Sequence, residues 1–310
     1  MVRLSAAWRR WVDADATVES GLDPARVDWV RGLPFVAMHL ACLGVIWVGV
    51  SPVAAWVAAG LYVLRVFALT AFYHRYFSHR SFRTSRPVQF LFAFIGATAA
   101  QRGPIWWAAH HRHHHVVSDA PEDPHSPHQH GFWHSHACWF LTGQHFGTDD
   151  RRVRDLLKYP ELRFLDRYAM VAPLLLALAL YALGSWLAAT RPELGTSGGQ
   201  MVIWGFFVST VAVYHVTFLV NSLAHRWGTR RYETTDDSRN NWLVAIVAYG
   251  EGWHNNHHAY PRMAKHGHRW WEFDITWQAI RLLRATGLVW DVVDYRTAAE
   301  KRENEAAQAT

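Results

Sequence analysis

Apolar and polar positions in this chain alternate in long blocks, not with the short period of an amphipathic strand or surface helix. Leu33 to Val50 is an 18-residue apolar run broken only by His39. Ser51 and Pro52 make a turn, and Pro52 to Tyr73 is a second run of 22 residues, about 33 Å long as a helix. Ala169 to Thr190 and Met201 to Val220 repeat the pattern. Runs of this length match the hydrocarbon core of a bilayer, where a helix pairs all of its own backbone polar groups. The pattern predicts an all-α integral membrane protein with four transmembrane helices, at about 33–50, 52–73, 169–190 and 201–220. Val88 to Ala100 is apolar over 13 residues, too short to span, and is expected as a buried or interfacial helix. The expected organisation is a polar N-terminal segment, 1–32, with a short amphipathic helix around Trp8 and Trp11. A membrane domain, 33–299, and a polar, disordered tail, 300–310, follow.

Charge orients these helices. The two short loops on one side hold a single Lys/Arg, Arg191, whereas the loop from His74 to Tyr168 holds 12 and the region after His225 holds another 12. The positive-inside rule puts both termini and the long loops, forming a helical cap, in the cytoplasm. Arg65 interrupts the second run; an arginine at that depth is expected to face other helices or a polar cavity.

Composition narrows the reading. Two cysteines, Cys42 and Cys138, imply neither a disulfide framework nor a thiolate metal site. The net charge of +6 follows the loops and forms no basic stripe, so no nucleic acid partner is expected. The first 32 residues contain no cleavable signal peptide. Arginine outnumbers lysine 28 to 3, pointing to a GC-rich bacterial genome and hence to the bacterial cytoplasmic membrane.

The chemistry lies in histidine. Of 21 histidines, eleven fall in four short stretches next to apolar runs, and nine of these are candidate ligands: HRYFSH at 74–79, HHRHHH at 110–115, NSLAH at 221–225 and HNNHH at 254–258. His111, His114 and His115 stand at i, i+3 and i+4 and share one helix face; His254, His257 and His258 repeat the spacing. Asn221 and His225 are an i, i+4 pair. His74 and His79, five apart, leave a single α-helical face and suit a helix end that bends. Nine imidazoles are about twice what one tetrahedral ion needs, so two metals are expected. Nitrogen ligation suits Fe, Cu, Zn or Ni. Zinc cannot change oxidation state, and the HExxH arrangement of a hydrolase is absent; Glu251-Gly252-Trp253-His254 does not replace it. The site points to O2 chemistry on an apolar substrate. His39, His215, His266 and His268 are expected to be satisfied or surface histidines. His125, His128, His130, His134, His136 and His145, in the loop, are expected to be outside the ligand set.

On these motifs the chain resembles the membrane fatty-acid desaturases, in particular the acyl-CoA delta-9 (stearoyl-CoA desaturase-like) branch, from about Pro34 to Asp291. HRYFSHRSF resembles the first histidine box, HHRHHH with a following DPH the second, NSLAH the asparagine–histidine motif, and GEGWHNNHH followed by Tyr-Pro the third. The resemblance implies two Fe ions without a carboxylate bridge. One would be held by His74, His79, His111, His115 and His257. The other would be held by His114, His225, His254 and His258, with Asn221 through a water. His110 and His113 are left out of both sets. It further implies an oxidoreductase using O2 and electrons from a separate protein, a ferredoxin with its reductase or a cytochrome b5-like donor, since no His-Pro-Gly-Gly haem motif is present. The substrate would be a fatty acyl thioester of CoA or acyl carrier protein, or a lipid acyl chain, given a cis double bond. Gln101, Trp107 and Trp253 are candidate substrate contacts, and Phe67 to Tyr76 and Trp106-Trp107 candidate tunnel walls. His128-Gln129-His130-Gly131-Phe132 departs from the basic residues that acyl-CoA relatives carry before this Gly-Phe, and Phe72 replaces a common glycine. Hydroxylation or acetylenation on the same site is the sister reading. A histidine-rich metal-binding or transport protein is the other class, disfavoured because its ligands would lie inside the spans.

Overall fold

The computed structural model describes residues 11–14 and 26–294. The segment around Trp8, most of 1–32, and the tail 300–310 lie outside the described residues. Among the described residues, four helices are long and apolar enough to cross a membrane: α1, Trp29–Val48; α2, Pro52–Ser78; α6, Val171–Thr190; and α7, Gly198–Ser222. Arg86–Ala97 is the expected short apolar helix, α3. Between the two hairpins of spans stand α4, Pro104–Val117, and α5, Pro160–Arg167. Three further helices follow the last span: α8, Trp242–Val247; α9, His254–Ala259; and α10, Ile275–Ala285.

The starts of these helices follow ordinary capping chemistry. Ser51 caps α2 by accepting the Ala54 N–H at 3.1 Å, with Pro52 in the first turn where its missing N–H is harmless. Asp28 caps α1 and Asp274 caps α10 in the same way. Helix α4 is capped from a distance: Asp166, at the end of α5, accepts the N–H groups of Ile105 and Trp106 at 3.1 and 2.8 Å. Gly103 has no side chain because the Asp166 backbone occupies the space a Cβ would need.

Helix α7 packs on the other three spans, with Ala54, Leu180, Met201 and Phe206 buried among them. The larger apolar core lies in the cap. There Phe72, Phe77, Phe82, Ile105, Leu165 and Ile280 surround the end of α2. Phe72 stacks on Phe92 with ring centroids 4.0 Å apart, so the residue replacing a glycine is packing, as are most neighbours in Phe67 to Tyr76. A two-residue antiparallel pairing, Arg83–Thr84 with Val289–Trp290, returns the chain after α10 to the end of α2.

Arg65 is fully buried and faces the other helices. Its guanidinium donates to Thr210 Oγ1 at 2.6 Å, to Ser209 Oγ and to the Thr98 carbonyl at 3.4 Å, while Nε donates to Leu61. It thereby joins α2, α7 and the end of α3. Arg75 also departs from the expectation of a loop cation. It is buried, forked onto Asp274 at 3.0 and 3.1 Å and bonded to Glu251 at 3.0 Å, because α2 continues past the apolar run into the cap.

A second polar device lies inside the spans. His39 Nδ1 donates to the Phe35 carbonyl at 2.8 Å, which leaves Nε2 of the neutral ring an acceptor for His215 Nε2 at 3.2 Å. His215 Nδ1 then accepts from His136 Nε2 at 3.0 Å. This chain of three imidazoles ties α1 to α7 and to the loop before α5. His39 and His215 were expected to be satisfied or surface histidines and His136 to lie outside the ligand set, and the three satisfy one another.

The end of α2 is wound as a π-helix over Ala68–Ser78. The His79 N–H bonds the His74 carbonyl five residues back, at 3.3 Å. Residues five apart nearly eclipse in this wider winding. His74 and His79 therefore reach one cluster, where an α-helix would have turned them apart.

Gly96 of α3 gives the first test. A Cβ there would fall inside the Tyr73 ring, directly before His74, whereas a Cβ on Gly60 of α2 meets nothing within 4 Å. Gly96→Ala is expected to destabilise the protein by about 1–3 kcal/mol. Gly60→Ala should leave the detergent-solubilised melting temperature unchanged or slightly raised.

Candidate metal centre

Three elements end at one level and present imidazoles to each other. The π-wound end of α2 supplies His74 and His79, α4 supplies His111, His114 and His115, and α9 supplies His254, His257 and His258. His225 follows α7. The histidines fall into two groups. The ligand nitrogens of His74, His79, His111, His115 and His257 lie within 4.8 Å of one another, as do those of His114, His225, His254 and His258. These are the two sets the resemblance implies. The groups adjoin: His115 of the first stacks on His258 of the second, ring centroids 4.4 Å apart.

Within each group it is Nε2 that points inward. His74 faces His257 at 3.0 Å, His79 faces His111 at 2.8 Å and His115 faces His257 at 2.9 Å. In the second group His225 and His258 each face His254 at 3.0 Å. In four of the nine the opposite nitrogen is tied to a carboxylate. His114 Nδ1 donates to Asp123 at 3.0 Å, His225 Nδ1 to Asp119 at 2.8 Å, His258 Nδ1 to Asp236 at 2.6 Å, and His74 Nδ1 to Glu251. A neutral ring whose Nδ1–H is given to a carboxylate has a bare lone pair on Nε2. His225 and His258 both turn such a lone pair on His254, which has one Nε2–H at most and can answer only one of them. A cation among them satisfies all three. The donor set therefore fits metal ions, and the carboxylate–histidine pairs are those that orient metal ligands.

Electrostatics keeps the four carboxylates ionised. Burial opposes the charge on Asp119, but hydrogen bonds from His225, Ser126 and the Asp237 backbone outweigh it and hold the carboxyl well below its usual range. Burial likewise opposes Asp123 and Asp236, and His125 with His114, and His258 with Ser238, reverse the effect. Glu251 is fully buried, yet His74 and Arg75 keep it ionised. None of these four acids was singled out as a partner from the sequence. Glu251 was considered only as a hydrolytic base; in the structure it orients His74 and pairs with Arg75. Asn255 and Asn256, between the α9 histidines, fasten that short helix. Asn255 Oδ1 accepts the Arg231 and Tyr232 N–H groups, and Asn256 Nδ2 donates to Glu272 at 2.9 Å.

The remaining histidines stay outside the two groups. His110 donates to the Gly147 carbonyl at 3.1 Å, and burial pushes its pKa down to about 3. His128 Nε2 donates to the His225 carbonyl at 2.8 Å, touching that residue only through its main chain. His125 sits beside Asp123, its ring 4.3 Å from that of His114. His266 is buried against Glu251 and Arg75.

An apolar cavity of about 420 Å³ leads to the centre. Gln101, Trp106, Trp107, His111, Thr217 and Asn221 line its inner end. Trp107 stacks on His111, and Gln101 donates to Thr217 at 3.1 Å. A smaller cavity of about 50 Å³ shares Trp107, His111, Thr217 and Asn221 and continues toward Val66, Leu69 and Thr70. Trp253 lines neither; its indole donates to the Phe273 carbonyl at 2.9 Å.

An all-helical membrane protein with two polyhistidine groups at the end of an apolar cavity is the class this geometry defines. Residues 33–290 match the fatty acid desaturase family, and the chain belongs to it. It is 43% identical over 244 residues to the palmitoyl-monogalactosyldiacylglycerol delta-7 desaturase of Arabidopsis thaliana, covering 77% of this chain and 62% of that relative. It is 37% identical over 285 residues to the sn-1 stearoyl-lipid 9-desaturase of Anabaena variabilis, covering 89% of this chain and 97% of the relative. An acyl-CoA 5-desaturase of Anemone leveillei is 40% identical over 259 residues, covering 82% of this chain and 76% of its own. Such relatives are oxidoreductases acting on acyl chains.

The carboxylate partners provide the test of the centre. Asp236→Ala and Asp119→Ala are expected to weaken metal retention on the order of 10–100-fold, read as metal content after competition with a chelator. Asp149→Ala, at a carboxylate paired with Arg151 on the surface, should retain metal as the parent does.

Proposed function

We propose that the protein is an O2-dependent fatty acyl desaturase that places a cis double bond, at the delta-9 position, in a saturated chain carried as a thioester or lipid ester. The observation that carries the reading is the pair of all-nitrogen histidine groups at the inner end of an apolar cavity. Two iron ions held there would supply the redox chemistry that activates O2 and removes two hydrogens from an unactivated pair of methylenes.

The protein's own residues do the rest. Asp119, Asp123, Asp236 and Glu251 keep the ring nitrogens of their histidines bare toward the centre. Asn221, on the wall shared by both cavities, would serve the second ion through a water. Trp107 and Thr217 hold the acyl chain against His111, and the apolar walls keep bulk water from the reacting carbons. The cap faces the cytoplasm, where a separate electron-transfer protein delivers the two electrons each turnover requires. The delta-9 position draws support from the relatives named as 9-desaturases, which match this chain over 93% and 97% of their own length.

The test is the fatty-acid profile of a host expressing the chain with an electron donor, by gas chromatography with double-bond location, beside a His254→Ala control. A new monounsaturated acid, lost in the control, is expected; a hydroxylated or acetylenic product would replace desaturation by its sister chemistry. His114→Ala and His257→Ala, one from each group, should each abolish the product, whereas His128→Ala should retain it. Full activity in either of the first two would overturn the two-ion assignment.

A further inference from the structure

We propose that the acyl chain reaches the centre sideways from the bilayer, through a portal between α1 and α6, and that the substrate is the acyl chain of an anionic glycerolipid. This rests on the desaturase reading and names its substrate class.

The walls of the large cavity carry the argument. Phe35 and Met38 come from α1, Pro173 and Leu174 from α6, and Phe207 and Tyr214 from α7. All six belong to helices long and apolar enough to cross a membrane. A chamber loaded from water opens only in a polar surface, whereas the α1, α6 and α7 walls of this one lie between spans, where the surrounding solvent is hydrocarbon. Ala37 of α1 and Leu174 of α6 both line the cavity and are exposed. They stand on either side of the gap. Helix α1 is tied to α7 by the His39–His215–His136 chain, and the portal lies between it and α6.

The polar end of the cavity fits a lipid headgroup. Arg31 lies in the first turn of α1, Arg167 at the end of α5 just before α6, and Arg102 just before α4; all three line the cavity. Their positions are held. Arg31 and Arg102 both stack on the Phe146 ring, at 4.6 and 5.4 Å, and Arg167 pairs with Asp13 at 2.7 Å. Guanidinium groups where helices leave the bilayer lie at the level of lipid phosphates and attract them electrostatically. From there, a chain in the cavity passes Trp107, His111 and Asn221, and its end continues toward Val66 and Leu69.

The experiment uses the full chain in nanodiscs and two photoreactive probes with the same diazirine-bearing acyl chain. One is phosphatidylglycerol in the bilayer, the other an acyl-CoA added from water. Cross-links are mapped by mass spectrometry. The lipid probe is expected to label Phe35, Met38 or Thr217. Ala37→Trp and Leu174→Trp, which narrow the gap from opposite sides, should each lower that labelling by about fivefold or more. Leu178→Trp, at an outward position of α6 that is 66% exposed and away from the cavity, should not. The melting temperature of each variant, matched to the parent, shows that the fold is intact. Labelling of the cavity by the CoA probe alone overturns the portal, and so does lipid labelling indifferent to both narrowing variants. Cross-linking needs neither metal nor electrons. A chain that is labelled as expected yet makes no double bond would overturn the desaturase reading and leave the lateral route standing.

Discussion

Imidazole nitrogens brought to about 3 Å with their lone pairs inward repel one another, and much of this fold keeps them there. Four carboxylates hold the outer nitrogens of His74, His114, His225 and His258. Each carboxylate is anchored in turn. Glu251 is held by Arg75 at 3.0 Å, Asp236 by Ser238, and Asp119 by the Asp237 N–H at 2.9 Å. The buried polar network of the cap is therefore continuous, from Asp274 at the start of α10 through Arg75 and Glu251 to His74. Such a network is most stable when every member is satisfied, and cations between the inward-facing imidazoles would satisfy the members that the carboxylates do not reach.

The bilayer sets the second constraint. Helices α2 and α7 must leave the membrane before they can present polar ligands, so the centre forms at the mouth of the helix bundle. An apolar cavity between spans can then run directly up to it. Polar groups that remain within the spans satisfy each other, as Arg65 does with Ser209 and Thr210, and His39 with His215. These pairs also bind helices together where hydrophobic contrast with lipid is absent.

The spans and the histidine faces were legible in the sequence because both are periodic. A long apolar run and an i, i+3, i+4 triplet each state their geometry locally. What was not legible depends on distance along the chain. Asp119 meets His225 across 106 residues, and Asp166 caps α4 from 60 residues away; no local pattern marks either acid. Glu251 was set aside as a hydrolytic base and given no other role, since its part depends on Arg75 being buried, and the apolar pattern ends before Arg75. Trp253 was named as a substrate contact, yet it lines neither cavity. The spacing of His74 and His79 was noticed, and its cause was a change of helix type that no residue in the stretch announces.

That change of winding makes residue number itself a functional quantity between Ala68 and Ser78. Each residue added to or removed from a helix rotates everything beyond it by about 100°. A substitution in this stretch alters one side chain. A single-residue deletion would restore ordinary α winding, carry the chain after it around the axis and swing His79 away from His111. The end of α2 is thus held to a fixed length as well as to the buried side chains it carries.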